Sequence, residues 1–163
     1  MTAALRFALI GAGRIGALHA ANLAATPGVR FVSVFDSDSK AAEKMAASYG
    51  AAVTSTADEI FDANHIDAVL IASPTATHVD FTLRAVRAGQ AVLCEKPVSL
   101  DTAEAARAAA ALAEISGARV QVGFNRRFDP GHAELARQVA DGDIEQYVCL
   151  ILMIKISTHS PVD

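Results

Sequence analysis

"ALIGAGRIG", residues 8–16, decides how the rest of the chain is read. An apolar run, Leu5 to Ile10, delivers the chain to Gly11, Gly13 and Gly16 in G-x-G-x-x-G spacing, and helix-forming sequence follows. The first glycine allows a tight turn, the second lets backbone approach a diphosphate, and the third lets a helix lie close on its strand. The helix start adds unpaired N–H groups that favour phosphate charge. Gly11, Gly13, Arg14, Ile15 and Gly16 are therefore the candidate diphosphate-binding residues. Glycine turns also simply join strands to helices, so the pattern needs a second element. Asp36 supplies it, 20 residues beyond Gly16 at the end of the next apolar run, where a carboxylate accepts the adenosine ribose hydroxyls. The bland alternative for Asp36 is a loop acid or a helix cap, and Asp38 is the better cap. No Arg follows Asp36 and its charge repels a 2′-phosphate, so NAD is expected rather than NADP.

Outward from that turn, short apolar runs alternate with helix-period segments, the rhythm of parallel strands joined by helical crossovers. Strands are predicted at 5–10, 30–35, 51–54, 67–72, 90–94 and 119–123. One intervening helix is expected to bury Ala42, Met45, Ala46 and Tyr49 and to end at Gly50. The next is expected to bury Val79, Leu83 and Val86. A third starts with Asp101 and Glu104 at capping-box spacing and ends at Gly117. The fold class expected is α/β, a doubly wound parallel sheet over residues 1–124. Residues 125–163 then form a junction helix and one long strand, with "YVCLILMI" at 147–154 as its apolar centre. Such a lone strand must pair with the sheet, with another subunit or with something missing, and a homo-oligomer is expected.

Bulk properties narrow the partners. A chain of 163 residues with 52% apolar composition can bury a core. Net charge −4 argues against nucleic acid or an anionic membrane surface as the main partner. The longest apolar run is too short to span a bilayer, and the N-terminus runs into the glycine turn without a basic leader. Two cysteines, Cys94 and Cys149, make neither a disulfide framework nor a metal site. A reduced, cytoplasmic protein is expected.

In an open parallel sheet, ligands sit beyond the carboxyl ends of the strands. Three of those ends carry unusual residues: "ASPTATH" (72–78), "LCEKPVSL" (93–100) and "GFNRRFDP" (123–130). With the glycine turn and the acid, they occur in the order found in the Gfo/Idh/MocA oxidoreductase family, and over about residues 5–130 the chain resembles its inositol dehydrogenase branch. The resemblance implies a dinucleotide-binding Rossmann domain followed by a substrate-binding domain on a large open sheet. It implies that Glu95, Lys96 and Pro97 are the family's E-K-P triplet, with Lys96 reaching the substrate hydroxyl beside the nicotinamide and the proline peptide often cis. A lysine ammonium there stabilises the alkoxide that develops as hydride leaves the carbon. Taken without the resemblance, Glu95 and Lys96 are equally readable as a surface ion pair. The resemblance further implies that Ser73, Pro74 and Thr75 line the nicotinamide side, and that Asn125 and Arg127 lie near it and the domain junction.

His78 is read either as a cofactor contact or as a residue of the first helical turn. Arg126 is readable as surface charge, Phe124 and Phe128 as core, and Cys94 as a small buried strand residue. His19, His65 and His132 are taken as structural or surface residues.

The chain departs from the family in one respect. Family dehydrogenases complete catalysis with a D-x-x-x-H pattern in the second domain, and no such pattern occurs in these 163 residues. His159, near Asp163, is no substitute. The expectation is a truncated form that binds NAD and turns over a small-molecule polyol or sugar very weakly or not at all. The competing expectations are a non-catalytic NAD-binding module that senses cofactor or assembles with a partner, and a redox-neutral glycosidase-like enzyme.

Overall fold

A computed structural model describes residues 3–142. The strand expected at 147–154, Cys149 and His159 lie outside the described residues. The chain divides between Gly123 and Phe124 into two compact units. The first is an α/β unit built on six parallel strands: β1 (Leu5–Ile10), β2 (Val29–Phe35), β3 (Ala52–Val53), β4 (Ala68–Ile71), β5 (Ala91–Cys94) and β6 (Val120–Val122). Their spatial order is β3-β2-β1-β4-β5-β6, with every neighbouring pair parallel. All six expected strands are present, most of them shorter by one or two residues at their ends.

The order reverses direction between β1 and β4, where the chain crosses from one half of the sheet to the other. At such a point the loops leaving two adjacent strands diverge and open a crevice. Helices cover both faces: α1 (Arg14–Ala25), α2 (Ser39–Tyr49), the short α3 (Asp58–Phe61), α4 (His78–Arg87) and α5 (Thr102–Ala113). Successive side chains of β1 alternate between two cores. Leu9 joins Ala20, Leu23, Val34, Ala42, Met45 and Leu70 under α1 and α2. Ala8 and Ile10 join Ile60, Phe61, Val69, Ile71, Ala85 and Val92 on the other face. Because it is covered on both faces, β4 reads AVLI without a polar residue and is buried throughout.

Helix boundaries follow local chemistry. Asp38 caps α2 by accepting from the N–H groups of Lys40 and Ala41, and Gly50 ends it at φ +70°. Four expectations are corrected. Tyr49 is exposed at the end of α2, although its ring lies 6.0 Å from that of Phe31. The buried face of α4 is His78, Thr82, Ala85 and Val86, one residue away from the predicted Val79–Leu83–Val86 stripe. At α5, Asp101 caps the N–H of Ala103, but Glu104 does not close a reciprocal box. The Ser99 hydroxyl stands between, donating to Glu104 and accepting from the Asp101 N–H. The helix itself stops at Ala113, short of Gly117.

The second unit begins with a 3-10 turn, Asn125–Phe128, followed by α6 (Pro130–Ala140). Asp129 caps α6 through the His132 N–H and also accepts from His132 Nδ1 at 2.7 Å, which holds its carboxyl below the usual carboxylate range. Phe124 and Phe128, expected in a core, are 54% and 73% exposed.

At the N-terminal end of the sheet, Arg6 and Asp67 join β1 to the start of β4. The Arg6 N–H and Nε donate to Asp67 Oδ2 at 2.8 and 2.9 Å, and Nη2 donates to Oδ1 at 2.8 Å. These bonds from Arg6 hold the Asp67 carboxyl down at about 2. A carboxyl depressed in the folded state stabilises fully above its unfolded value of about 3.9 and loses that contribution as pH falls. Asp67→Asn is therefore expected to be less stable than the wild type at neutral pH. The gap in denaturant midpoint should close between about pH 4 and pH 2; a gap independent of pH would contradict the assignment.

Candidate dinucleotide site

Backbone approach sets the geometry of the glycine turn. Gly11 takes φ +104°, and a Cβ on it would lie 2.6 Å from the backbone of Ala72 and Ser73, in the loop after β4. A Cβ on Gly16 would run into the Gly11 carbonyl. These two glycines are demanded by packing alone. Gly13 is different: a Cβ there meets nothing within 4 Å, and its φ of −72° is open to any residue. Its lack of a side chain keeps clear the space in front of α1. No side chain caps α1, its first turn holds no acid, and the first intrahelical bond is Ala17 N–H to the Gly13 carbonyl at 2.8 Å. The N–H groups of Arg14, Ile15 and Gly16 precede that bond, so the helix end presents uncapped donors and the positive pole of its dipole. That arrangement fits a diphosphate.

Asp36 follows the last residue of β2 and lies against the same turn. Its Oδ2 accepts from the Ala12 N–H at 2.6 Å and its Oδ1 from the Asp38 N–H at 2.8 Å, while the Gly11 N–H donates to the Phe35 carbonyl at 2.8 Å. The carboxylate is thus held beside the glycine turn and partly exposed.

The loops after β4 and β5 form the other side. Thr75–Thr77 make a 3-10 turn; the Ser73 and Thr77 hydroxyls lie 2.6 Å apart, and Thr77 also donates to the Pro74 carbonyl. His78 is 2% exposed. Its Nδ1 lies 2.8 Å from the Pro97 carbonyl and its Nε2 2.9 Å from the Ser73 carbonyl. Both ring nitrogens face backbone carbonyls, and a neutral imidazole donates to one of them at a time, so the ring bridges the two loops. Lys96 is exposed, and the Lys96–Pro97 peptide is cis.

Glu95 has partners that sequence reasoning missed. Its Oε1 lies 2.8 Å from Nε2 of His19 on α1, and its Oε2 accepts from the Lys96 N–H at 3.1 Å. An ionised carboxylate only accepts, so the His19 Nε2 carries the proton. His19 follows Gly16 by one helical turn, which puts it on the face turned toward the strand ends; that spacing was the available signal.

Asn125 and Arg127 belong to the second unit, where both are exposed in the 3-10 turn. Cys94 is 1% exposed, and burial pushes its thiol up to about 11. Among the described residues, no group of His, Cys, Asp and Glu is arranged to hold a metal ion, and no helix is long and apolar enough to cross a membrane.

Residues 5–124 match the family model described as "Oxidoreductase family, NAD-binding Rossmann fold". The chain is 42% identical to the inositol 2-dehydrogenase of Rhizobium meliloti (strain 1021) over 98% of its own length and 48% of that protein's. It is 38% identical to the scyllo-inositol 2-dehydrogenase (NAD(+)) of Bacillus subtilis (strain 168), over 86% of its length and 41% of that protein's. The crystal structure of myo-inositol dehydrogenase from Lactobacillus casei in complex with NAD(H) and myo-inositol superposes with TM-score 0.80 at 28% identity, covering 85% of this chain and 42% of that one. The chain spans less than half the length of these relatives. With the strand order, the glycine turn and this match over most of its length in agreement, the chain belongs to the Gfo/Idh/MocA oxidoreductase family, and its first unit is an NAD-binding Rossmann domain.

Proposed function

We propose that the protein serves NAD-dependent oxidation of a CH–OH group on a cyclic polyol or sugar, an inositol being the favoured class, with Lys96 meeting the reacting hydroxyl. The observation that carries this reading is a continuous rim of hydrogen bonds and close backbone packing. Asp36 is bonded to the glycine turn, Gly11 abuts the loop after β4, and His78 ties that loop to the loop bearing Lys96. A dinucleotide lying along such a rim has its diphosphate at α1 and its nicotinamide toward Lys96. One of the relatives is named a scyllo-inositol 2-dehydrogenase and another is solved with NAD(H) and myo-inositol, which supports the substrate class.

NAD, when bound, supplies the hydride acceptor. The chain's own groups do the rest. The uncapped N–H groups of α1 hold the diphosphate, and Asp36 accepts from the adenosine ribose while repelling a 2′-phosphate. Ser73, Pro74 and Thr75 border the nicotinamide side. The Lys96 ammonium donates to the substrate oxygen and stabilises the negative charge that grows as its proton leaves. No Asp in the 163 residues is followed four positions later by His, so the base of the family pattern is not supplied from within them. The rate of this chain alone is expected to be very low. A reducing, cytoplasmic setting and self-association belong to the same proposal.

Three measurements test it. Gly13→Ala should keep the wild-type melting temperature and weaken NADH by about tenfold or more, whereas Gly16→Ala should lower the melting temperature itself. Equal NADH affinity in Gly13→Ala would count against the diphosphate site. Asp36→Ala should lower the preference for NADH over NADPH by about tenfold, read as a ratio of dissociation constants; an unchanged ratio would remove Asp36 from the ribose site. With myo-inositol and NAD, Lys96→Ala should leave NADH affinity within about threefold and cut whatever rate the wild type shows by roughly a hundredfold or more. Equal rates, where the wild type turns over measurably, would exclude Lys96, and a folded wild type that gives no calorimetric signal with NADH would overturn the reading as a whole.

A further inference from the structure

The Glu95 carboxylate sits between two elements that no local sequence connects. One oxygen takes the imidazole of His19, on the helix that begins at the glycine turn; the other takes the backbone N–H of Lys96. Both side chains of the pair are mostly buried, 18% and 20% exposed. Space around the carboxylate is tight. A Cβ on Gly123, just past β6, would lie 3.2 Å from both its Cδ and its Oε1, so the glycine leaves room for the carboxylate in this rotamer and little room elsewhere. A half-buried carboxylate satisfied at both oxygens and walled on one side has little rotamer freedom.

From this geometry we infer that His19 and Glu95 form a positioning pair, which fixes the direction in which Lys96 leaves β5 relative to the helix that holds the diphosphate. The inference rests on the dehydrogenase reading above, since it concerns how Lys96 meets the nicotinamide end of the cofactor. Neither residue needs to touch substrate. His19 sets the Glu95 carboxylate, and the carboxylate sets the Lys96 backbone. Because His19 and the N–H groups of the glycine turn are carried on one rigid helix, the cofactor's diphosphate and the lysine are referred to the same frame. A reacting amine displaced by about an ångström loses rate steeply even when binding is intact. The pair therefore governs the step after cofactor binding and leaves binding itself largely alone.

The test reads Lys96 directly and does not depend on turnover. The chain has four lysines, Lys40, Lys44, Lys96 and Lys155, so reductive methylation with 13C-formaldehyde gives a simple NMR spectrum in which Lys96 is assigned by loss of its signal in Lys96→Arg. In the wild type, saturating NADH is expected to shift the Lys96 signal. His19→Ala is expected to bind NADH within about threefold of wild type while its Lys96 shift falls by more than half. His19→Gln, whose amide can donate to Glu95 in place of the imidazole, is expected to restore it. Glu95→Gln keeps the shape of the side chain, and hence the fold, but can offer its single oxygen to only one of the two donors; it should lose the Lys96 response as His19→Ala does. The inference is overturned if His19→Ala and Glu95→Gln respond like the wild type, if His19→Gln fails to restore the response, or if His19→Ala abolishes NADH binding. If the wild-type Lys96 signal ignores NADH, the function assigned to Lys96 fails instead, and the two failures are told apart by that one control.

Discussion

Everything at the strand ends depends on backbone meeting backbone without a Cβ between. Gly16 lets α1 settle onto the glycine turn, and Gly11 lets that turn settle against Ala72 and Ser73. A methyl group at either position would push apart the two halves of the sheet's crevice, because the neighbours are main-chain atoms that cannot swing away. The close fit brings the loop after β4 within reach of the loop after β1. It also leaves the positive end of α1 facing outward at the place where the strand order reverses.

Around this contact the site is organised by hydrogen bonds in which a side chain binds the backbone of another loop. Asp36 holds the Ala12 amide, His78 holds the carbonyls of Ser73 and Pro97, and Glu95 holds the Lys96 amide. Loops held this way can carry functional groups at a precision their own sequence does not provide. The division of labour is physical: buried rings and carboxylates fix the loops, while Lys96 and the uncapped N–H groups of α1 stay exposed. By contrast the Arg6–Asp67 pair stands at the opposite end of the sheet, where it joins β1 to β4 and serves only the fold.

Much of this could be read from the chain because the chemistry is local. The strands are short apolar runs bounded by turns, Gly50 and Asp38 mark the ends of α2, and the glycine spacing with Asp36 announces the nucleotide turn. What could not be read depends on tertiary placement. His19 and Glu95 are 76 residues apart, and only the reversal between β1 and β4 brings them to 2.8 Å. The stripe of α4 includes His78, whose ring faces the carbonyls of Ser73 and Pro97, and the buried Thr82, and a hydrophobic pattern is blind to both. The capping box at Asp101 and Glu104 had the right spacing, yet the Ser99 hydroxyl was close enough to take both partners. Residue type alone points Phe124 and Phe128 to a core, but it says nothing about the surface a short turn presents.

Cys94 lies one residue before the E-K-P triplet, and that position has a practical side. Thiols react as thiolates, and a buried thiol held near 11 is almost wholly protonated in neutral solution. In the closed fold it should ignore an alkylating reagent. Labelling at this position can therefore proceed only while β5 is out of the sheet, and its rate becomes a clock for excursions of the strand that leads into Glu95 and Lys96.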